Sequence, residues 1–335
     1  MTVSELPFPP LFLSYDDREK MTIGCKDCES LPKVANAGEV EVVAGEEIQT
    51  MHNGIKIVAG GYGGAVMTNI IKGLRGHHEP QEELVFHYVL PLLGENPTMI
   101  ELGANWGFYT QWFLKEAKGA GRAFMIEPDP YNIKIGMRNA ELNNTSNSIG
   151  FVQGFCASED AEKVPFQTEH SGIVETRSIN VNSFINENNI DVLDILHMDI
   201  QGAELIVLET LEDFLKQKKV RFAFVSTHHR SFSRDPLMHQ RCLHFLKECG
   251  AQILVEHDVE ESFSADGLIL AYFGNEPIEW PDLKMSRNRH SSTLYRAPAY
   301  ELSDAFKKID HLTWELQNAK IKIEQLEKKI ADSTN

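Results

Sequence analysis

A short apolar run that ends in an acid and passes through a glycine turn into a helix, TMIELGANWGFYTQWFL at 98–114, constrains this chain more than any other stretch. Met99, Ile100 and Leu102 supply a buried strand. Gly103 and Gly107 let the backbone turn tightly and approach a ligand where a side chain would collide. A strand, a glycine turn and a helix in that order predict an α/β sheet whose loop lies at the carboxyl end of its strand, where ligands bind. The spacing selects among ligands. A dinucleotide loop reads G-x-G-x-x-G, whereas here Glu101 precedes a G-x-x-x-G turn with Ala104 and Asn105 between the glycines. An acid ahead of the turn suits a ligand that carries an amine.

One strand and helix later, Glu127 closes the run RAFMIE at 122–127. An acid there accepts both hydroxyls of a ribose, in NAD as in S-adenosylmethionine, and the first loop tips the balance toward S-adenosylmethionine. Strands are predicted near 98–102, 122–127, 149–155, 192–199, 220–227, 251–257 and 266–273, with helices over 106–117, 130–143, 201–217 and 236–249. Such alternation implies right-handed crossovers and a mainly parallel sheet covered on both faces. The link between the last two strands is too short for a crossover helix, so they are expected to pair antiparallel. The expected fold is therefore α/β, doubly wound, with seven strands and an antiparallel last strand, the Rossmann-like outline of class I methyltransferases.

With 42% hydrophobic and 24% charged residues, 335 residues can bury one large domain plus appendages. A net charge of −17 argues against a nucleic-acid partner, which demands a basic surface. No apolar run approaches a membrane span, the first residues lack a basic start and a cleavage site, and five cysteines fit reduced thiols, so a cytoplasmic address is expected. The locally basic segment 286–296, with Arg287, Arg289, His290 and Arg296, reads as a solvated linker, or else as a grip on an anionic group.

Residues 1–37 show no periodicity and read as an arm; its Cys25 and Cys28 have the spacing of half a zinc site but lack a second pair. Residues 38–95 are expected to hold a β-hairpin turned at Asn53-Gly54, a glycine turn at Gly60, Gly61, Gly63 and Gly64, and a helix from Pro80 to Leu93 with Glu82, Glu83 and His87 on its polar side. The core spans 96–275 and a linker 276–300. Over 301–335, Ile309, Leu312, Leu316, Ala319, Ile323, Leu326 and Ile330 recur at alternating steps of three and four. That pattern predicts a coiled-coil helix that joins copies of the chain or a partner enzyme through 301–330, or else one amphipathic helix docked on its own domain.

The remaining informative run is VLDILHMDIQGAELIVLE at 192–209, with His197 and Asp199 on one face and Asp199 at the strand's carboxyl end. HMDIQGAE resembles the D-x-E-G-A-E signature of the FkbM-type methyltransferases, ELGANWGFYT their D-x-G-A-N-x-G-x-Y motif, and GLRGHHEPQEE at 73–83 their opening motif. Gln201 stands where that family usually has glutamate, and His197 where lysine is common. The resemblance implies methyl transfer to oxygen, often on a sugar or secondary metabolite. It implies that Glu101, Gly103, Ala104, Asn105 and Gly107 line the methionine end of S-adenosylmethionine, that Glu127 holds the ribose, and that Asp199 sits beside the transferred methyl.

A hydroxyl acceptor has to be aligned and relieved of its proton. The candidate catalytic residues are Asp199 and, at the end of the fifth core strand, His228 in preference to His229. A divalent metal near Asp199 can replace a base, though no dense acidic cluster marks one. Two other readings stand beside this one: a nicotinamide oxidoreductase, disfavoured by the missing G-x-G-x-x-G, and a non-catalytic cofactor-binding assembly module, to which Gln201 lends weight.

Overall fold

Turn residues divide the N-terminal quarter into short elements, and the computed structural model, which describes residues 15–288, 295 and 298–333, shows how they assemble. Helix α1 (Tyr15–Gly24) lies within the stretch read as an arm, of which residues 1–14 fall outside the described residues. Three strands follow instead of two, β1 (Val40–Val43), β2 (Glu46–Thr50) and β3 (Lys56–Val58), in one antiparallel sheet. Asn53-Gly54 turns β2 into β3; the unforeseen turn is Ala44-Gly45, where both residues adopt positive φ. Helix α2 (Gly64–Gly73) and helix α3 (Pro80–Val89) then lead to the core. Glu82 and Glu83 are buried in α3, which corrects their expected place on a polar face.

The core alternates as anticipated. Strand β4 (Thr98–Leu102) runs through the glycine turn into α4 (Phe108–Glu116), β5 (Arg122–Glu127) into α5 (Pro130–Asn143), and β6 (Ile149–Cys156) follows. Between β6 and α6 (Val181–Glu187) lies a hairpin, β7 (Ala161–Gln167) and β8 (Ile173–Ile179), which is not among the strands predicted from the sequence. Then come β9 (Leu193–Met198), α7 (Glu204–Thr210) and α8 (Glu212–Lys216), where one helix was expected, β10 (Val220–Thr227), α9 (Arg230–Ser233), α10 (Met238–Glu248), and the pair β11 (Gln252–His257) and β12 (Gly267–Tyr272).

These strands form one sheet of nine rather than seven, in the order β11-β12-β10-β9-β4-β5-β6-β8-β7. Pairs from β10 to β8 are parallel, while β12 meets both β10 and β11 antiparallel. Alternation along β12 explains the two-sided core: Leu268 and Leu270 join the cluster under α3 and α4, Ile269 and Ala271 the one under α7 and α10. Both outer strands carry a register shift, and edge strand β7 also holds Lys163 and Pro165. Chain order reverses beside β4, which has β5 on one side and β9 on the other, so the ligand crevice of an open sheet falls at the ends of these three strands.

In the second unit, residues 296–335, the described residues form the 36-residue helix α11 (Pro298–Ser333). Among the described residues, no helix is long and apolar enough to cross a membrane. All five cysteines are buried and unpaired, and burial pushes the Cys25 thiol up to about 12. Of the basic segment, Arg287 is held by Glu261 and the Glu256 carbonyl; Arg289, His290 and Arg296 lie outside the described residues.

Candidate active site

At the switch point the glycine turn is wired to its neighbours on both sides. Gly103 and Ala104 donate backbone N–H bonds to the Ile126 carbonyl at 2.9 and 3.1 Å, and Asp199 donates to the Leu102 carbonyl at 3.0 Å. Gly103 has φ of +70°, and a Cβ there would stand 1.8 Å from the Asp199 carbonyl oxygen. Only glycine fits so close an approach. Asn105 also sits in the left-handed region, and its N–H donates to Glu127 Oε2 at 3.0 Å, so the ribose-position acid and the glycine turn form one structure. Glu101 is buried and accepts the Thr110 N–H at 3.0 Å and the Thr110 hydroxyl at 2.5 Å. Burial raises its pKa against the opposing pull of His197 and Thr110.

Glu127 Oε1 accepts the Asp129 N–H at 2.8 Å and the Asn132 amide at 3.4 Å. Burial outweighs these donors and lifts its carboxyl to about 7. Two side-chain oxygens, Asn105 Oδ1 and Asn132 Oδ1, are buried without a hydrogen-bond partner. Unsatisfied buried acceptors in the glycine turn and beside Glu127 fit a ligand rich in donors, such as an ammonium group and ribose hydroxyls.

Across the crevice, His228 is enclosed by three carboxylates. Its Nε2 lies 3.0 Å from Asp199 Oδ1 and 3.4 Å from Asp266 Oδ1, and its Nδ1 lies 2.8 Å from Glu204 Oε1. Burial disfavours charge on the ring, but Asp266, Glu204 and Asp199 together hold its pKa well above the ordinary range, which favours the imidazolium form. Burial raises and His228 lowers Asp199, with a net fall. Asp266 goes the other way, to about 6, because burial outweighs the attraction of His228 and the nearby Asp199 charge adds to it. His229 points elsewhere: it caps α9 through Ser231 and stacks on Tyr295 at 4.5 Å.

A second buried network backs the first. His197 Nε2 and Glu82 Oε1 make an ion pair at 2.6 Å whose angles lie outside hydrogen-bond geometry, while Glu82 Oε2 accepts the Ser226 hydroxyl at 3.0 Å. Burial opposes the His197 charge, and Glu82 and Glu101 prevail, raising its pKa to about 9. Tyr109 donates to Glu79 Oε2 at 2.8 Å. Glu83 accepts bonds from His77 Nδ1 at 2.5 Å and from His78 Nδ1 and N–H at 2.7 Å each, with His52 Nδ1 3.4 Å away. His52, His77 and Glu83 place ligand atoms within 4.8 Å of one another, as a metal site would. The His52 and His77 rings, however, stack at 3.9 Å with planes 17° apart, so their lone pairs run side by side and do not converge on an ion. Glu83 acts there as the anchor of a hydrogen-bonded knot.

Residues 94–253 match the family model for the methyltransferase FkbM domain. The chain carries a methyltransferase FkbM domain. This family is one of S-adenosylmethionine-dependent methyltransferases, and β4, β5, β9 and the glycine turn all lie inside the FkbM domain. Among solved structures, the chain is similar to the methyltransferase FkbM from Methylobacillus flagellatus KT, with 18% identity over 62% of this chain and 54% of that one, TM-score 0.42. It thus spans about half the length of that protein. It is also similar to a precorrin-6y C5,15-methyltransferase from Geobacter metallireducens GS-15 (11% identity, 57% of this chain and 88% of that one, TM-score 0.36). A putative rRNA-methylase from Clostridium thermocellum follows (12% identity, 59% and 97%, TM-score 0.40). No curated protein matches the chain.

Sequence reasoning missed Arg18 and Asp266, both outside the residues matched to the FkbM domain, and gave no site role to Glu204, the last residue of HMDIQGAE. Arg18 donates to the Ser264 carbonyl at 3.3 Å, leaves its Nε buried without a hydrogen-bond partner, and is drawn electrostatically to Tyr62, Asp266 and Glu79. No local motif links Arg18 and Asp266, since each arrives from a separate part of the chain.

Proposed function

We propose that this chain is an S-adenosylmethionine-dependent O-methyltransferase acting on a hydroxyl of a sugar, glycan or secondary metabolite. The observation that carries the proposal is the pairing, across one switch-point crevice, of the Glu127-linked glycine turn with the Asp199, His228 and Asp266 cluster. Glu101, Gly103, Ala104, Asn105 and Gly107 would hold the methionine end, and Glu127 with Asn132 the ribose. When bound, S-adenosylmethionine supplies an electrophilic methyl group.

The chain's own residues then have to orient the acceptor and take its proton. His228, as an imidazolium, fixes Asp199 and Asp266 in place and cannot accept a proton itself. Asp266, which touches His228 and whose carboxyl burial lifts to about 6, is the proton acceptor in this reading, and Asp199 orients the acceptor hydroxyl. Tyr62 and Trp106, 5.4 Å apart at ring centroids, offer an apolar face near Glu79 and Asp199. Aromatic faces beside carboxylate acceptors suit a polyol better than a phosphate. The helix α11 serves as the association element, and five unpaired cysteines support a cytoplasmic address.

Calorimetric titration with S-adenosylhomocysteine and, separately, NAD tests the reading. Binding of the first alone, weakened at least tenfold by Glu127→Ala, is expected; binding of NAD in preference, or of neither, would overturn it.

A further inference from the structure

Helix α11 holds an apolar seam in its own unit. Leu302, Ile309, Leu312, Leu316, Ile323 and Leu326 are each 50–57% exposed along about 36 Å of helix. The three-and-four spacing extends beyond the run first noticed, back through Ala305 to Leu302. In heptad terms the a row is Leu302, Ile309, Leu316, Ile323 and Ile330, and the d row is Ala305, Leu312, Ala319 and Leu326. Isoleucine at three of the five a positions, with leucine at two of the four d positions, favours two parallel strands.

The flanking charges choose both partner and direction. In a parallel in-register pair, each g residue faces the e residue five positions on in the other copy. Glu315 meets Lys320 and Lys322 meets Glu327, each twice by symmetry. In the antiparallel arrangement with Leu316 opposite Ala319, Glu315 still meets Lys322, but Lys308 is brought against Lys329. A membrane surface fits less well, because residues 301–330 hold six acids and six lysines, a net charge of zero, where membrane-surface helices are basic. We infer that residues 302–330 pair with the same segment of a second copy in a parallel, two-stranded coiled coil, making the chain a homodimer. This is independent of the methyl-transfer reading.

Sedimentation equilibrium of the full chain tests it with two charge variants, Glu315→Lys with Glu327→Lys, and Lys320→Glu with Lys322→Glu. The unaltered chain is expected to be dimeric. Each variant alone should self-associate at least about tenfold more weakly, since every attractive flanking pair becomes repulsive, and an equimolar mixture should recover the dimer. Ala305→Cys, on the d row, should form a disulfide-linked dimer on oxidation only if the strands are parallel and in register. A monomeric unaltered chain, a dimer unmoved by both charge variants, or failure of Ala305→Cys to cross-link would each overturn the proposal.

Discussion

One imidazole stands among three carboxylates, and the proposed reaction gives the proton chemistry to the acids. His228 already carries its proton, so turnover should follow the ionisation of Asp266, rising as pH increases through about 6 and levelling above it. Asp266→Asn should lower kcat by about 10²–10⁴ and flatten that limb of the pH profile, while S-adenosylhomocysteine binding is kept. A full-strength limb near 6 in Asp266→Asn would assign it to another group. The sequence made part of this legible. Asp199, Glu127 and the glycines sit at strand ends fixed by the two-residue alternation, and His228 follows its strand in the same way. Asp266 and Arg18 carry no such mark: one precedes the last strand and the other sits on a polar N-terminal helix, and only the folded chain brings both to the crevice.

At the scale of elements, α5 was readable to the residue because Asp129-Pro130 is both a cap and a stop on the preceding strand. The same Asp129 reaches further, accepting the Tyr131 N–H at 2.9 Å, the His170 N–H at 2.7 Å and the Ser171 hydroxyl at 2.5 Å, so it also ties down the turn between β7 and β8. Burial raises its pKa, but the Ser171 and backbone donors win and hold it below the usual aspartate range. A depressed folded pKa means that the contribution is complete above about pH 4 and lost as pH falls through the folded value. Asp129→Ala should cost about 1–2 kcal/mol in denaturant unfolding at neutral pH, and the gap to the unaltered protein should narrow on acidification. A constant gap would deny the carboxylate its role. The hairpin it anchors escaped the sequence reading because β7, AEKVPFQ, is exposed along most of its length and offers little apolar alternation to detect.

Over the whole molecule, the N-terminal elements are joined to the methyltransferase FkbM domain through charge as well as packing. Glu83 gathers His52 from the turn after β2 together with His77 and His78, and its neighbour Glu82 grips His197 on β9. Glu83→Gln would take away the buried carboxylate that accepts from His77 and His78, and should destabilise the fold by about 1–3 kcal/mol in equilibrium unfolding. A loss below about 1 kcal/mol would show that the knot is dispensable. His77, His78 and Glu83 were visible in GLRGHHEPQEE, yet their burial was not, because a run of histidines and glutamates reads as a surface until partners such as His52 are seen. The outer strands of the nine-stranded sheet have a quieter consequence. With a pairing slip on each side, and a proline and a lysine on β7, neither rim offers a straight ladder on which a neighbouring chain can crystallise its own strands, so concentrated solutions are guarded against fibre growth.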